Sequence, residues 1–157
     1  MEERAGGRVL ALDLGRKRTG VALSDPDAEL ARPLETVTLG TRALLEHVQQ
    51  LIRTREVSTV VVGHPVLPSG EPGEIGRWAE TFAERLRNAT GVRVVLWDEG
   101  LTSWEAEGLV PRRKRLTPKA RTARRATVDR VAAALILQDY LDHRRARDDS
   151  EGETSQA

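Results

Sequence analysis

Apolar and polar positions along this chain follow two rhythms. Short aliphatic and β-branched runs stand at Val9-Leu10-Ala11-Leu12, Val21-Ala22-Leu23, Val60-Val61-Val62-Gly63 and Val92 to Trp97. Runs this short, bounded by Gly, Asp or Pro, predict buried strands. A further strand is predicted over Glu35–Leu39, after Pro33. Elsewhere the spacing changes to three and four. Leu44, Leu45, Val48, Leu51 and Ile52 line one face of a helix entered at Gly40-Thr41, and Ile75, Trp78, Ala79, Phe82 and Leu86 line another from Glu74 to Asn88. A short helix is predicted from Thr102, carrying Trp104 and Leu109. The last helix is the longest, entered at Thr117-Pro118, with a stripe of Val128, Val131, Ala132, Leu135, Tyr140 and Leu141.

Hairpin strands first and strand–helix alternation afterwards predict an α/β fold. Its mixed central sheet joins antiparallel hairpin strands to parallel strands and is flanked by helices. At 157 residues, the chain has the length of one domain. Residues 8–145 are read as that domain, with 1–7 and 146–157 as flexible tails, because Asp148 to Ala157 holds no large apolar residue.

Composition removes whole classes of function. With no cysteine there is no disulfide scaffold, thiol nucleophile, iron–sulfur cluster or Cys-based zinc site. No apolar run approaches the ~20 residues of a membrane span, and the start Met1-Glu2-Glu3-Arg4 is unlike a secretory leader. A cytoplasmic protein without a membrane partner is expected. The net charge of +1 conceals a segregated distribution. Arg112, Arg113, Lys114, Arg115, Lys119, Arg121, Arg124 and Arg125 lie between Gly108 and Val128 with no acid among them. Such a block suits either a polyanion or a solvated loop. Aromatic residues amount to 3%, too few for a base-stacking platform of the single-strand-binding kind.

Three acids stand where apolar elements begin or end. Asp13 closes the first strand, Glu99 follows Val94-Val95-Leu96-Trp97, and Asp129 precedes Val131-Ala132-Ala133-Ala134. A half-buried carboxylate needs a partner, either an arginine or a shared divalent cation. Carboxylates without His or Cys suit Mg²⁺ or Mn²⁺ rather than zinc. Asp13-Leu14-Gly15-Arg16-Lys17-Arg18-Thr19-Gly20 also has the form of a Gly-bounded turn, which serves either as a tight hairpin or as a phosphate cradle. His47 and His143 read as structural or solvated, and His64 as a loop residue after a strand. Serine-hydrolase, Walker A and His-Glu-x-x-His motifs are absent.

Four strings together resemble the YqgF-type (RuvX) family. They are Asp13-Leu14-Gly15 with Arg18-Thr19-Gly20-Val21-Ala22-Leu23-Ser24-Asp25; Val61-Val62-Gly63-His64-Pro65 with Gly70 and Gly73; Trp97-Asp98-Glu99-Gly100-Leu101-Thr102-Ser103 with Ala106-Glu107; and Asp129 with Ala132-Ala133 and Leu135 to Leu141. The resemblance implies an RNase H-like fold and a metal-dependent nuclease, described for the family both as a Holliday junction resolvase and as the nuclease maturing the 5′ end of pre-16S rRNA. It puts the catalytic and metal-binding acids on Asp13, Glu99 and Asp129, with Mg²⁺ or Mn²⁺ as cofactor. Arg16, Lys17 and Arg18, and Arg112, Arg113, Lys114, Arg115, Arg121, Arg124 and Arg125, would hold flanking phosphates. The implied partners are structured RNA or branched DNA and pre-ribosomal particles, with the protein acting as monomer or homodimer. Gly100 and Ser103 stand where the family usually has Arg and Thr, and His64 where it has a non-ionisable residue. The reading of another class is a nucleotide- or nucleic-acid-binding module without turnover, since related folds cradle nucleotides.

Overall fold

The computed structural model describes residues 7–98 and 118–154, with side chains for all of these but 118–126 and 150–154. Five strands, β1 (Arg8–Leu14), β2 (Thr19–Ser24), β3 (Ala31–Val37), β4 (Val57–Gly63) and β5 (Arg93–Trp97), form one sheet in the order β3-β2-β1-β4-β5. The β1–β2 and β2–β3 pairs are antiparallel, and β1–β4 and β4–β5 are parallel. This is the mixed sheet that the hairpin-then-alternation pattern predicts. Three helices cover it: α1 (Thr41–Thr54), α2 (Glu74–Thr90) and α3 (Pro118–Thr154). The helix predicted from Thr102 lies outside the described residues.

Strand alternation divides the core into two layers. Leu10, Leu12, Val21, Val60 and Val62 pack against Leu44 and Val48 of α1 and Phe82 and Leu86 of α2. Val9, Ala11, Ala22 and Val61 face the other way, onto Ala133, Ile136, Leu137 and Tyr140 of α3. A strand covered on both faces reads as an unbroken apolar run, as Val60-Val61-Val62 does. The α3 side of β1 and β2 carries small residues, which lets the helix lie close to the sheet.

Three sequence expectations are corrected. β3 begins at Ala31 rather than Glu35 and ends at Val37. It is an edge strand, where Pro33 costs no ladder hydrogen bond, and a register shift opposite Val21 and Ala22 bulges it there. Its start is clamped to α3, because the Ala31 N–H donates to Gln138 Oε1 (2.9 Å) and Gln138 Nε2 donates to the Glu29 carbonyl (3.0 Å). The buried seam of α3 runs through Ala132, Ala133, Ile136, Leu137, Tyr140 and Leu141, leaving Val128, Val131 and Leu135 half-buried. Finally, α3 continues to Thr154, through residues assigned to a flexible tail. Each added residue closes one more intrahelical hydrogen bond once the helix is nucleated.

Ser24 and Asp25, part of the first motif, serve the turn after β2. The Ser24 hydroxyl accepts from the Val9 N–H (2.8 Å) and donates to the Asp25 carbonyl (2.9 Å). The Asp25 carboxylate accepts from the Leu30 and Glu29 N–H groups, which hold its pKa below the ordinary carboxylate value.

Candidate active site

Strand parity aims Asp13. Val9 and Ala11 face α3, so Asp13, two residues on, continues that row at the carboxyl end of β1. Its cross-strand neighbour is Gly20. A Cβ on Gly20 would lie 2.0 Å from the Asp129 carbonyl oxygen and 3.0 Å from the Arg130 nitrogen. Only glycine lets the backbone of α3 come this near the sheet. Asp129 lies three and four residues before Ala132 and Ala133, at the polar start of the buried seam, and therefore also faces the sheet.

The two half-buried acids line one open cleft of ≈ 430 Å³. The cleft is also lined by Pro65, Val66 and Leu67 of the β4–α2 loop and by Ile75 of α2, with the exposed pair Arg16 and Glu74 among its lining. The Asp129 carboxylate accepts at Oδ2 from Arg18 Nε at 3.0 Å, with the two side chains 21% and 28% exposed. Arg16 pairs with Glu74 at 2.7 Å in the open. Two of the three turn cations considered for phosphate are thus also partners of cleft carboxylates, while Lys17 is exposed between them.

The described chain reaches Asp98, just past β5, at the same end of the sheet as the carboxyl end of β1, two strands away. Glu99 and Arg112 to Arg115 lie outside the described residues, as do Gly100 and Ser103. Arg121, Arg124 and Arg125 belong to the first turns of α3. Among the described residues no three His, Asp or Glu side chains form a metal-holding group. They contribute two carboxylates, Asp13 and Asp129, and an all-oxygen donor set of this kind fits a hard cation.

His64 is accounted for by packing. Its N–H donates to the Trp97 carbonyl (2.7 Å), extending the β4–β5 pairing, and its ring pairs with Glu80 at 3.0 Å. His47 pairs with Glu35, and His143 accompanies Asp139 beside Trp97. The cleft residues that sequence reasoning passed over are Glu74, Val66 and Leu67. Glu74 was visible only as a first-turn acid, and the two apolar residues only as part of a Pro- and Gly-rich loop.

A family model described as "RuvX: Holliday junction resolvase" matches residues 7–143. The chain belongs to the RuvX family. Over 142 residues it is 46% identical to a protein of Anaeromyxobacter sp. (strain Fw109-5) named "Putative pre-16S rRNA nuclease", covering 88% of this chain and 99% of that protein. A protein of Chloroflexus aurantiacus with the same name is 44% identical over 140 residues, 88% of each chain. Among solved structures, Thermus thermophilus RuvC in complex with Holliday junction substrate matches with a TM-score of 0.55 over 89% of this chain and 96% of its own, at 16% identity. That likeness shows a shared fold. This RuvX-family chain is RNase H-like, as its motifs imply.

Proposed function

We propose that this protein is a Mg²⁺- or Mn²⁺-dependent endonuclease that hydrolyses phosphodiester bonds in the 5′-end maturation of pre-16S rRNA. The observation that carries the reading is the meeting of Asp13 and Asp129, 116 residues apart in sequence, in one cleft, with Asp129 paired to Arg18 at 3.0 Å. The substrate comes from the relatives' name. Glu99 is the third carboxylate of the proposed site. A bound cation would supply charge stabilisation to the phosphodiester oxygens during displacement. Asp13, Asp129 and Glu99 would hold it, and Arg18, which pairs with Asp129 at 3.0 Å, would stand at the site as a partner for a phosphate oxygen. Arg16 and Lys17 stand at the turn to bind flanking phosphate. Arg112, Arg113, Lys114, Arg115, Arg121, Arg124 and Arg125 extend that contact by charge without reading bases. The reading implies action in the cytoplasm on a pre-ribosomal particle, with monomer and homodimer both compatible.

The second reading, resolution of branched DNA, is favoured by the family description and by the fold shared with RuvC. It calls for a homodimer, since two symmetric nicks need two sites. Depletion in cells separates the two. Small-subunit rRNA with 5′ extensions is expected to accumulate, whereas normal rRNA ends with recombination defects would make junction resolution the function. Purified protein is expected to nick branched DNA with Mn²⁺ and to show little selectivity on naked precursor RNA, because one small domain with few aromatics offers little base readout.

The Arg18–Asp129 pair predicts a competition. A cation and the guanidinium claim the same carboxylate, so Arg18→Met is expected to bind Mn²⁺ about fivefold more tightly, since a screened ion pair is worth at most ~1 kcal/mol. Titration with Mn²⁺, following the free ion by electron paramagnetic resonance, measures this without turnover. Equal affinities in wild type and variant would show that the pair does not oppose the metal.

A further inference from the structure

Among the described residues, the exposed large apolar side chains are Leu30 (57%), Leu39 (40%), Val66 (40%) and Leu67 (51%). Two of the four are adjacent, and both form a wall of the cleft that holds Asp13 and Asp129. Leaving such area in water forgoes roughly 25 cal/mol for every Å² that burial would cover. The loop is nevertheless built to keep them there. Val66 bridges to Pro72, the Leu67 N–H donates to the Glu71 carbonyl (2.8 Å), and the Gly70 N–H donates back to the Leu67 carbonyl (2.8 Å). The loop is also seated on α2, where a Cβ on Gly76 would be 2.8 Å from the Pro65 carbonyl. Val66 and Leu67 are therefore held out by a braced loop rather than left over from a loose one.

We propose that this wall is a nucleobase subsite, taking the face of an unpaired base beside the scissile phosphate. The inference rests on the nuclease reading and deepens it by naming the substrate class as a strand whose nucleotide at the cleft is single-stranded or splayed. Three features converge on that occupant. The wall is apolar, so it can cover a base's face but has no donors or acceptors for its edges. In a continuous duplex the faces are covered by stacked neighbours and only edges are offered, so a paired base gains nothing here. The ≈ 430 Å³ of the cleft lies in the range of small-ligand sites, a size for a single nucleotide and not for a duplex. The acids that line the same cleft, once they hold a cation, and the exposed Arg16 would suit the attached phosphate. Contact with a face is tolerant of base identity, so the subsite selects for unpairing and not for sequence.

The test uses the full chain with Ca²⁺ as a poorly supporting ion and two probes, a single-stranded oligonucleotide carrying 2-aminopurine and the same strand in a perfect duplex. Wild type is expected to bind the single strand more tightly, with a change in 2-aminopurine emission. The double variant Val66→Ser, Leu67→Ser is expected to lose about tenfold in single-strand affinity, with duplex affinity unchanged. Both side chains are exposed, so the variant should unfold at the wild-type temperature, and Leu67→Met should restore most of the loss. Equal losses on single strand and duplex, no loss on either, or silent emission in wild type would each overturn the subsite. Cleavage by wild type in Mn²⁺ is scored separately. If it persists while the affinities fail to separate, only the base subsite falls, and if wild type neither cleaves nor binds, the nuclease reading falls and this one with it.

Discussion

Asp13→Asn and Asp129→Asn are each expected to lower the cleavage rate by more than the ~100-fold that losing a mere hydrogen-bond partner of a ligand costs. Each swap preserves side-chain shape and removes the charge that a hard cation requires. Both carboxylates line the same cleft, so neither can replace the other. The same loss is expected of Glu99→Gln if it completes the proposed set. Folding survives in the Asp129 variant, whose pair with Arg18 is partly solvated and worth at most about 1 kcal/mol. Single-turnover rates in Mn²⁺, compared at equal folded fraction by circular dichroism, decide the matter. Variants that cleave at the wild-type rate would remove the carboxylate site from the mechanism.

Gly20→Ala is expected to destabilise the protein by at least ~3 kcal/mol, the upper end for overpacking. The added Cβ would meet the backbone of α3, with the Asp129 carbonyl oxygen at 2.0 Å and its carbon at 2.4 Å, and no side-chain rotation can relieve a backbone clash. The helix must retreat from β2, which lowers the melting temperature by roughly 6–12 °C for a chain of this size. That retreat also draws Asp129 away from Asp13, so Mn²⁺ affinity falls in the fraction that remains folded. Gly40→Ala, with nothing within 4 Å of the new atom, is the steric control: as the N-cap of α1 it should cost no more than about 1 kcal/mol and leave Mn²⁺ affinity unchanged. A Gly20→Ala protein as stable as wild type would mean that α3 is not held against the sheet by this contact.

Local chemistry made much of this legible without a structure. Val60-Val61-Val62 is buried on both faces because nothing but a covered strand tolerates such a run, and the spacing from Leu44 to Ile52 and from Ile75 to Leu86 reports one-sided helices at a period that no packing can alter. Asp13 and Asp129 stood out for the same reason, as charges where an apolar strand ends and an apolar helix face begins. β3 was misjudged at its start because an exposed edge strand has little alternation to read, and Ala31 joins it through Gln138, more than a hundred residues away. The seam of α3 was displaced because Val128, Val131 and Leu135 are as apolar as Ile136 and Leu137, and only the direction of approach to the sheet selects among them. Register and close approach are non-local, and they decided the site. The pairing of Asp13 with Gly20 and the passage of α3 over that glycine bring two acids into one cleft. The residues of the chain determined which groups were unusual; the tertiary structure determined which of them meet, because contact depends on backbone paths that no short stretch of sequence encodes.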